Sequence, residues 1–286
     1  MDENKKTKTA EILEQLSAGV QSVYESDAWK HYLSFVGKFR HYSWANTLLI
    51  ALQAPETDFV ASFSDWKNKF NRRILPKSKA IRIIAPHSVK EEMPDGSERI
   101  YTGFHAVSVF PIESTSPISE GHGEIPEICR TLDVPLDNPQ RLIDLLVTIS
   151  PVPVDFLPIE GSSCYGYFSP SAMRIVIRPD LPESQTVKTL LHEIGHSLIH
   201  CAEGEYEKVD KATKEIQAES IAYTVSQFIG LDTSSYSFPY VASFAQGKDV
   251  KELKTVMATI QKTAVQIMDA IEERLSHDAP ACSHTT

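Results

Sequence analysis

Leu190-Leu191-His192-Glu193-Ile194-Gly195-His196-Ser197-Leu198-Ile199 is the stretch that decides how this chain is read. It sets His-Glu-x-x-His inside a run that is otherwise uncharged and mostly apolar. On an α-helix, positions four apart lie about 40° from each other around the axis and about one turn along it. His192 and His196 therefore face the same way and can hold one metal ion. Glu193 sits about 100° from His192, within reach of a water on that ion, where it would act as the catalytic base. Imidazole is a borderline-soft ligand and zinc accepts tetrahedral geometry, so the expected cofactor is one Zn2+ per chain. Such five-residue patterns also arise by chance. Here the apolar flanks, a β-branched and aromatic segment upstream and acids on a second helix all favour a zinc site.

A catalytic zinc needs three protein ligands and one open position. The third is sought in Glu215-Ile216-Gln217-Ala218-Glu219-Ser220-Ile221-Ala222-Tyr223. Glu215 and Glu219 are again four apart, and Ala218 and Ala222 keep a neighbouring stripe small enough for two helices to approach. Glu215 is assigned as the third metal ligand and Glu219 as a carboxylate orienting a ligating imidazole through its other N–H. The reverse assignment remains open, as does a solvated acidic face paired with Lys211 and Lys214. His200 lies a further turn along, too far to converge on the same ion, and is read as an outer partner or a structural residue. Tyr223 or Tyr206 could donate to a developing oxyanion.

Composition bounds the rest. A chain of 286 residues suggests two domains, and 42% hydrophobic residues suffice for real cores. A formal net charge of −10 argues against a wholly basic nucleic-acid binder but leaves room for a local basic face. The four cysteines, Cys129, Cys164, Cys201 and Cys282, form no Cys-x-x-Cys pair and read as free thiols in a reducing compartment. The start, Met1 to Lys6, is polar, with no secretory signal visible. No apolar run approaches the roughly 18 residues of a membrane span. The expectation is a soluble, cytoplasmic protein with no membrane partner.

The pattern along the chain predicts an α+β protein: N-terminal helices with a small antiparallel sheet in residues 1–113, a linker at 114–127, and a metal-binding domain at 128–286. Helical periodicity follows Thr9, then recurs in stretches expected to be capped by Ser26, Ser43 and Ser64. Residues 80–86 and 101–110 read as strands, with Asp95-Gly96 as a hairpin turn between them. In the second domain a helix is expected at 140–149, a strand within 152–159, and a hairpin from Tyr165-Phe168 and Met173-Ile177. The metal helix should span 185–200, the glutamate helix 210–228 up to Gly230, and a long helix 250–275.

From Trp66 to Lys90 there are eight Lys and Arg and no Asp or Glu. Arg40, Tyr42 and Trp44 lie just upstream. Cations for phosphates with aromatics for bases are what single-stranded nucleic acid binding requires. A charged surface over an aromatic core explains the same residues.

The order of helix, strands, metal helix and glutamate helix resembles the zincin metallopeptidase fold, and Glu-x-x-Ala-acid at Glu215 resembles the glutamate helix of gluzincins, including CAAX prenyl proteases. That likeness favours Glu215 as the ligand. It also implies Met173 to Ile177 as an edge strand taking extended substrate. More of the chain is similar to ArdC-type antirestriction proteins, which join a single-stranded-DNA-binding domain to a zincin-like domain related to ImmA/IrrE peptidases. The residues that carry this are Tyr42-Ser43-x-x-Asn46-x-Leu48-Leu49-Ile50, Gln53-x-Pro55, Ser64-x-Trp66, Arg72-Arg73-Ile74, Lys79-Ala80-Ile81-x-Ile83 and Val109-Phe110. In the second domain they are Tyr165-Gly166-Tyr167, Thr189 through His196, and Glu215 to Tyr223. Where such domains often have a Lys-Lys-Gly-like turn, this chain has Leu75-Pro76-Lys77-Ser78.

The resemblance implies single-stranded DNA as a partner, with Arg40, Lys67, Arg72, Arg73, Lys77 and Lys79 on phosphates and Tyr42, Trp44 and Trp66 stacking on bases. The first expectation is a DNA-binding, zinc-dependent metallopeptidase of a mobile element, antirestriction or regulatory in role, with a protein or peptide substrate. One alternative is a non-proteolytic protein that covers single-stranded DNA around a dormant zinc site. Another is a repressor-cleaving peptidase that binds no DNA.

Overall fold

In the computed structural model of the protein, the residues described are 3–93, 98–118, 139–160, 164–201, 209–231, 233, 236 and 238–278. The fold is α+β. The chain divides into two units, residues 1–130 and 131–286.

The first unit opens with three helices: α1 (Glu3–Ser22), α2 (Ser26–Lys38) and α3 (Trp44–Gln53). Ser43 caps α3 by accepting the Asn46 N–H, whereas Ser26 is the first residue of α2 and Glu25 stands at its cap without a side-chain bond. Then come β1 (Val60–Ala61), α4 (Phe63–Asn68), β2 (Arg72–Ile74), β3 (Ile81–Glu92), β4 (Glu98–Pro111) and β5 (Thr115–Pro117). The cap of α4 is Ser62, whose hydroxyl accepts the Asp65 N–H at 3.0 Å, so Ser64 lies inside the helix. β3 and β4 pair antiparallel from Ile81 opposite Val109 to Glu92 opposite Glu98. The Asp95-Gly96 turn lies outside the described residues.

An edge strand exposes unpaired backbone groups that must be satisfied. Two amide side chains on α3 do this for β3. Asn46 accepts from the Ile84 N–H (3.0 Å) and donates to the Ile84 C=O (2.9 Å). Gln53, two turns on, does the same for Arg82 at 2.9 and 2.8 Å. Two residues of the Asn46-to-Gln53 motif thus have a structural role.

The expected linker begins inside this unit, because Thr115–Pro117 pairs antiparallel with Arg72–Ile74. The rest of it, from residue 119, lies outside the described residues.

The second unit contains α5 (Pro139–Ile149), β6 (Val154–Phe156), β7 (Gly166–Ser169), β8 (Arg174–Ile177), α6 (Glu183–Ile199), α7 (Lys211–Phe228), α8 (Val241–Ala245) and α9 (Val250–Asp278). Its sheet has the order β6-β8-β7, parallel on one side and antiparallel on the other. The strand preceding the metal helix is therefore central, and the expectation of an edge at Met173 to Ile177 is corrected. The edge is β7. Its outward Gly166 C=O accepts from Cys164 Sγ at 2.6 Å, and its outward Phe168 N–H donates to Glu193 at 2.7 Å.

Small residues bring the pieces together. A Cβ at Gly166 would stand 2.7 Å from Ile177 Cδ1 and 2.8 Å from Thr189 Cγ2, so glycine lets β7 pass beneath α6. A Cβ at Gly195 would meet Ala218 Cα at 3.6 Å, so α6 and α7 cross closely. Leu190, Leu191 and Ile194 of α6, Ile221 and Val225 of α7, and Ile260, Ala264 and Met268 of α9 form the core behind that crossing.

Candidate metal centre

The first turns of α7 face the second half of α6. Asp210 caps α7 through the Thr213 N–H at 2.9 Å, which fixes where Glu215 and Glu219 emerge. His192 Nε2 and His196 Nε2 are 3.1 Å apart. Glu215 Oε2 lies 3.6 Å from the first and 3.9 Å from the second. Donors bound tetrahedrally at about 2.0–2.1 Å stand about 3.3–3.4 Å apart, so these three atoms fit one divalent cation. They form the one such cluster of three among the described residues.

Each histidine uses Nε2 for this centre and Nδ1 for an outer partner. His192 Nδ1 is 3.2 Å from Glu219 Oε2. His196 Nδ1 is 2.9 Å from His200 Nδ1, and His200 Nε2 is 3.1 Å from Gln217 Oε1. His200 and Gln217 are buried. Sequence reasoning missed Gln217; the signal available was an uncharged polar residue between two glutamates on a helix face that packs inward.

Burial acts to lower the His192 pKa, but the Glu215 and Glu219 carboxylates outweigh it and hold it at about 10. The same carboxylates favour any cation at this point. Burial and the neighbouring His192 charge push His196 down to about 3, so its ring is neutral. Burial likewise lowers His200. Glu193 is raised, chiefly by burial, against the opposing effects of His192 and the Phe168 N–H. A carboxyl raised toward the working pH is a better general base.

Three cavities share His192. One of about 410 Å³ has a mixed polar and apolar lining that includes Gln185, Lys188, Thr189, Glu193, Glu219 and Tyr236. A second, about 730 Å³, has apolar walls from Ile216, Phe238, Tyr240, Val241 and Phe244. The third, about 480 Å³, runs along β7 with Lys211 and Lys214 at its border. Tyr223 lines none of them. It is buried among Tyr236 and Phe238, with its hydroxyl turned to Thr233 and Gln227, so the expectation of an oxyanion donor there is corrected. Tyr236 and Lys188 do line the first cavity, with the Lys188 ammonium 4.9 Å above the Tyr236 ring. Tyr206 lies outside the described residues.

No family model matches the chain. It is 23% identical over 311 residues to an uncharacterized protein of Bacillus anthracis, an alignment covering 95% of this chain. The chain spans about half (52%) of that relative's length. Among solved structures, the metal-free antirestriction protein ArdC of plasmid R388 superposes with a TM-score of 0.55 over 82% of this chain and 85% of that one, at 16% identity. The fold is that of ArdC. A Mn(II)-bound form of the same protein matches with a TM-score of 0.50 and 15% identity, again over 82% and 85%.

In this ArdC fold the expected nucleic-acid residues of the first unit separate into two groups. Lys67 on α4, Arg73 on β2, and Lys77 and Lys79 on the connection to β3 are exposed. Arg72 is half-buried and donates to Thr115 through Nε at 2.7 Å, so part of its guanidinium serves the β2–β5 pair. Arg40, Tyr42 and Trp44 are half-buried, and the Tyr42 hydroxyl donates to the Val60 C=O. Trp66 is 0% exposed, edge-on to Phe59 and Phe70, with its N–H donated to the Phe110 C=O at 2.8 Å. It is a core residue, and the expectation that it stacks on bases is corrected. The aromatics exposed on this unit are Phe63, Tyr101 and Phe104. Among the described residues no helix is long and apolar enough to cross a membrane, and Cys164 and Cys201 are free thiols.

Proposed function

We propose that this protein is a single-stranded-DNA-binding, zinc-dependent metallopeptidase of a mobile element with an antirestriction role. The observation that carries the enzymatic half is one constellation. His192, His196 and Glu215 bring three donor atoms together, and the raised Glu193 carboxyl lines two of the cavities that open on His192. Zinc held there would polarise a peptide carbonyl and make water acidic enough to attack it. Glu193 takes the proton and passes it to the leaving amine, while the Phe168 N–H fixes one of its carboxylate oxygens. Glu219 and His200 orient the two imidazoles. Lys188 or Tyr236 supplies the polar contact to the developing oxyanion. The apolar cavity accommodates a large aliphatic or aromatic residue of the peptide.

The DNA-binding half is supported by the acid-free run from Trp66 to Lys90 and by the exposure of Lys67, Arg73, Lys77 and Lys79. Phe63, Tyr101 and Phe104 replace Trp66 as bases' stacking partners. The antirestriction role follows the fold shared with ArdC of plasmid R388.

Two measurements test the halves separately. Glu193→Gln should bind zinc as the wild type does and lose hydrolysis by about 10²–10⁴-fold. Undiminished hydrolysis in that variant would overturn the assignment. A labelled single-stranded oligonucleotide should bind at low salt and dissociate steeply as salt rises. No binding at low salt would leave a metallopeptidase whose first unit recognises something else.

A further inference from the structure

We infer that Gln217 sets the ring tautomer of His196 through His200, and so decides whether His196 presents a lone pair to the metal. This rests on the metal reading above. The chain of contacts is His196 Nδ1 to His200 Nδ1 at 2.9 Å, then His200 Nε2 to Gln217 Oε1 at 3.1 Å.

A neutral imidazole has one N–H and one lone pair, and a hydrogen bond at one nitrogen fixes the role of the other. Gln217 Oε1 can only accept, so His200 carries its proton on Nε2. His200 Nδ1 is then an acceptor and requires the proton of His196 on Nδ1. That leaves the His196 Nε2 lone pair aimed where His192 Nε2 and Glu215 Oε2 converge. With the amide reversed, each proton in the chain moves to the opposite nitrogen, and His196 turns an N–H toward the metal position. One amide orientation therefore fits a cation and the other opposes it.

The burial of the chain gives the choice its force. His200 is 2% exposed and Gln217 6% exposed, so water competes poorly for either contact. Gln217 sits on α7 two residues after Glu215, so the helix that supplies the carboxylate ligand also supplies the group that prepares a histidine ligand on α6. Gln217 is a positioning residue: it touches neither the metal nor the reacting atoms.

The test uses the full chain, Zn2+ alone, and two substitutions at one site. Gln217→Met fills nearly the same volume without an acceptor oxygen. Gln217→Glu keeps the acceptor. Zinc affinity is read by competition with a chelator, and ring tautomers by nitrogen–proton NMR of the histidines. In the wild type, His196 should carry its proton on Nδ1 with or without zinc. Gln217→Met should mix the two tautomers and weaken zinc binding about 10–100-fold, while Gln217→Glu should keep the Nδ1–H form. A Met variant with wild-type affinity and tautomer overturns the inference, since a merely space-filling residue would behave that way. An Nε2–H form of His196 in the wild type overturns it without any variant. Should the wild type fail to bind zinc while His196 still carries Nδ1–H, the metal reading falls and the hydrogen-bond chain stands.

Discussion

In the second unit, the side chains of the candidate centre lie on two helices at fixed spacings; in the first, the candidate contacts are scattered over a short helix, a three-residue strand and the turn that follows. The difference is one of leverage. Four-residue spacing on a helix places two side chains in space without knowledge of the rest of the chain. His192, His196, Glu215 and Glu219 needed only the two helices to cross, and Gly195 against Ala218 lets them do so. No such rule says which aromatic of Tyr42, Trp44 and Trp66 faces solvent. Tertiary packing decides that, and it buried Trp66 while leaving Phe63, Tyr101 and Phe104 outside.

The sharpest way to break this contrast is Trp66→Ala. As a fully buried ring with a satisfied N–H, Trp66 should cost about 3–5 kcal/mol when truncated, read as an earlier denaturant midpoint for the first unit. Phe104→Ala, on an exposed strand position, should change stability by less than about 0.5 kcal/mol and weaken single-strand binding instead. The reverse result, a stable Trp66→Ala protein that no longer binds DNA, would restore the stacking role the sequence suggested.

Next in size is the division of labour between the two glutamates. Glu215→Ala removes one of three donors. Glu219→Ala removes a partner of the His192 Nδ1 and should weaken zinc binding about 10–100-fold, a smaller loss than that of Glu215→Ala. Titration of both variants with zinc ranks them, and the opposite order would make Glu219 the ligand.

Much of the second unit was legible because its signals are local. The metal helix and the glutamate helix follow from periodicity and end chemistry. What escaped depended on partners distant in sequence. The sheet order put β8 in the centre, and nothing in Met173 to Ile177 records that β6 would lie on its far side. Gln217 reads as one more polar helix residue until His200 is set beside it. The pattern does not separate Ser64 from Ser62 as a cap, since both are serines followed by an acid within three residues, and only the Ser62 bond to the Asp65 N–H distinguishes them.

Asp210 gives a smaller, pH-dependent effect. Burial acts to raise its pKa, but the Thr213 hydroxyl and N–H and the Lys248 ammonium outweigh it and hold the carboxyl at about 2, below the ordinary 3.8. A depressed acid contributes stability above its unfolded pKa and loses it as pH falls through the folded one. Asp210→Ala should therefore cost about 1 kcal/mol at neutral pH, as for a lost helix cap. The gap between variant and wild type should close as pH falls from about 4 toward 2. A gap that stays constant over that range would mean that the cap acts without its charge.

The smallest effect tests the turn that departs from the ArdC-type pattern. Ser78 N–H donates to the Leu75 C=O, closing a turn with Pro76 second and Lys77 third, and Lys77 has φ of 67°. That third position in a turn of this kind favours Gly or Asn, because a Cβ in the left-handed region costs about 1–2 kcal/mol. Lys77→Gly relieves that cost but adds about 0.5–1 kcal/mol of chain entropy, so the net gain should lie between about 0 and 1.5 kcal/mol. Lys77→Asn should stabilise similarly, since Asn tolerates the left-handed region. Both remove one exposed cation. If Lys77 touches a phosphate, each variant should flatten the salt dependence of single-strand binding by about 0.7 in log–log slope, the share of one contact. An unchanged slope with the gain in stability intact would mean that the strain at Lys77 serves no phosphate contact.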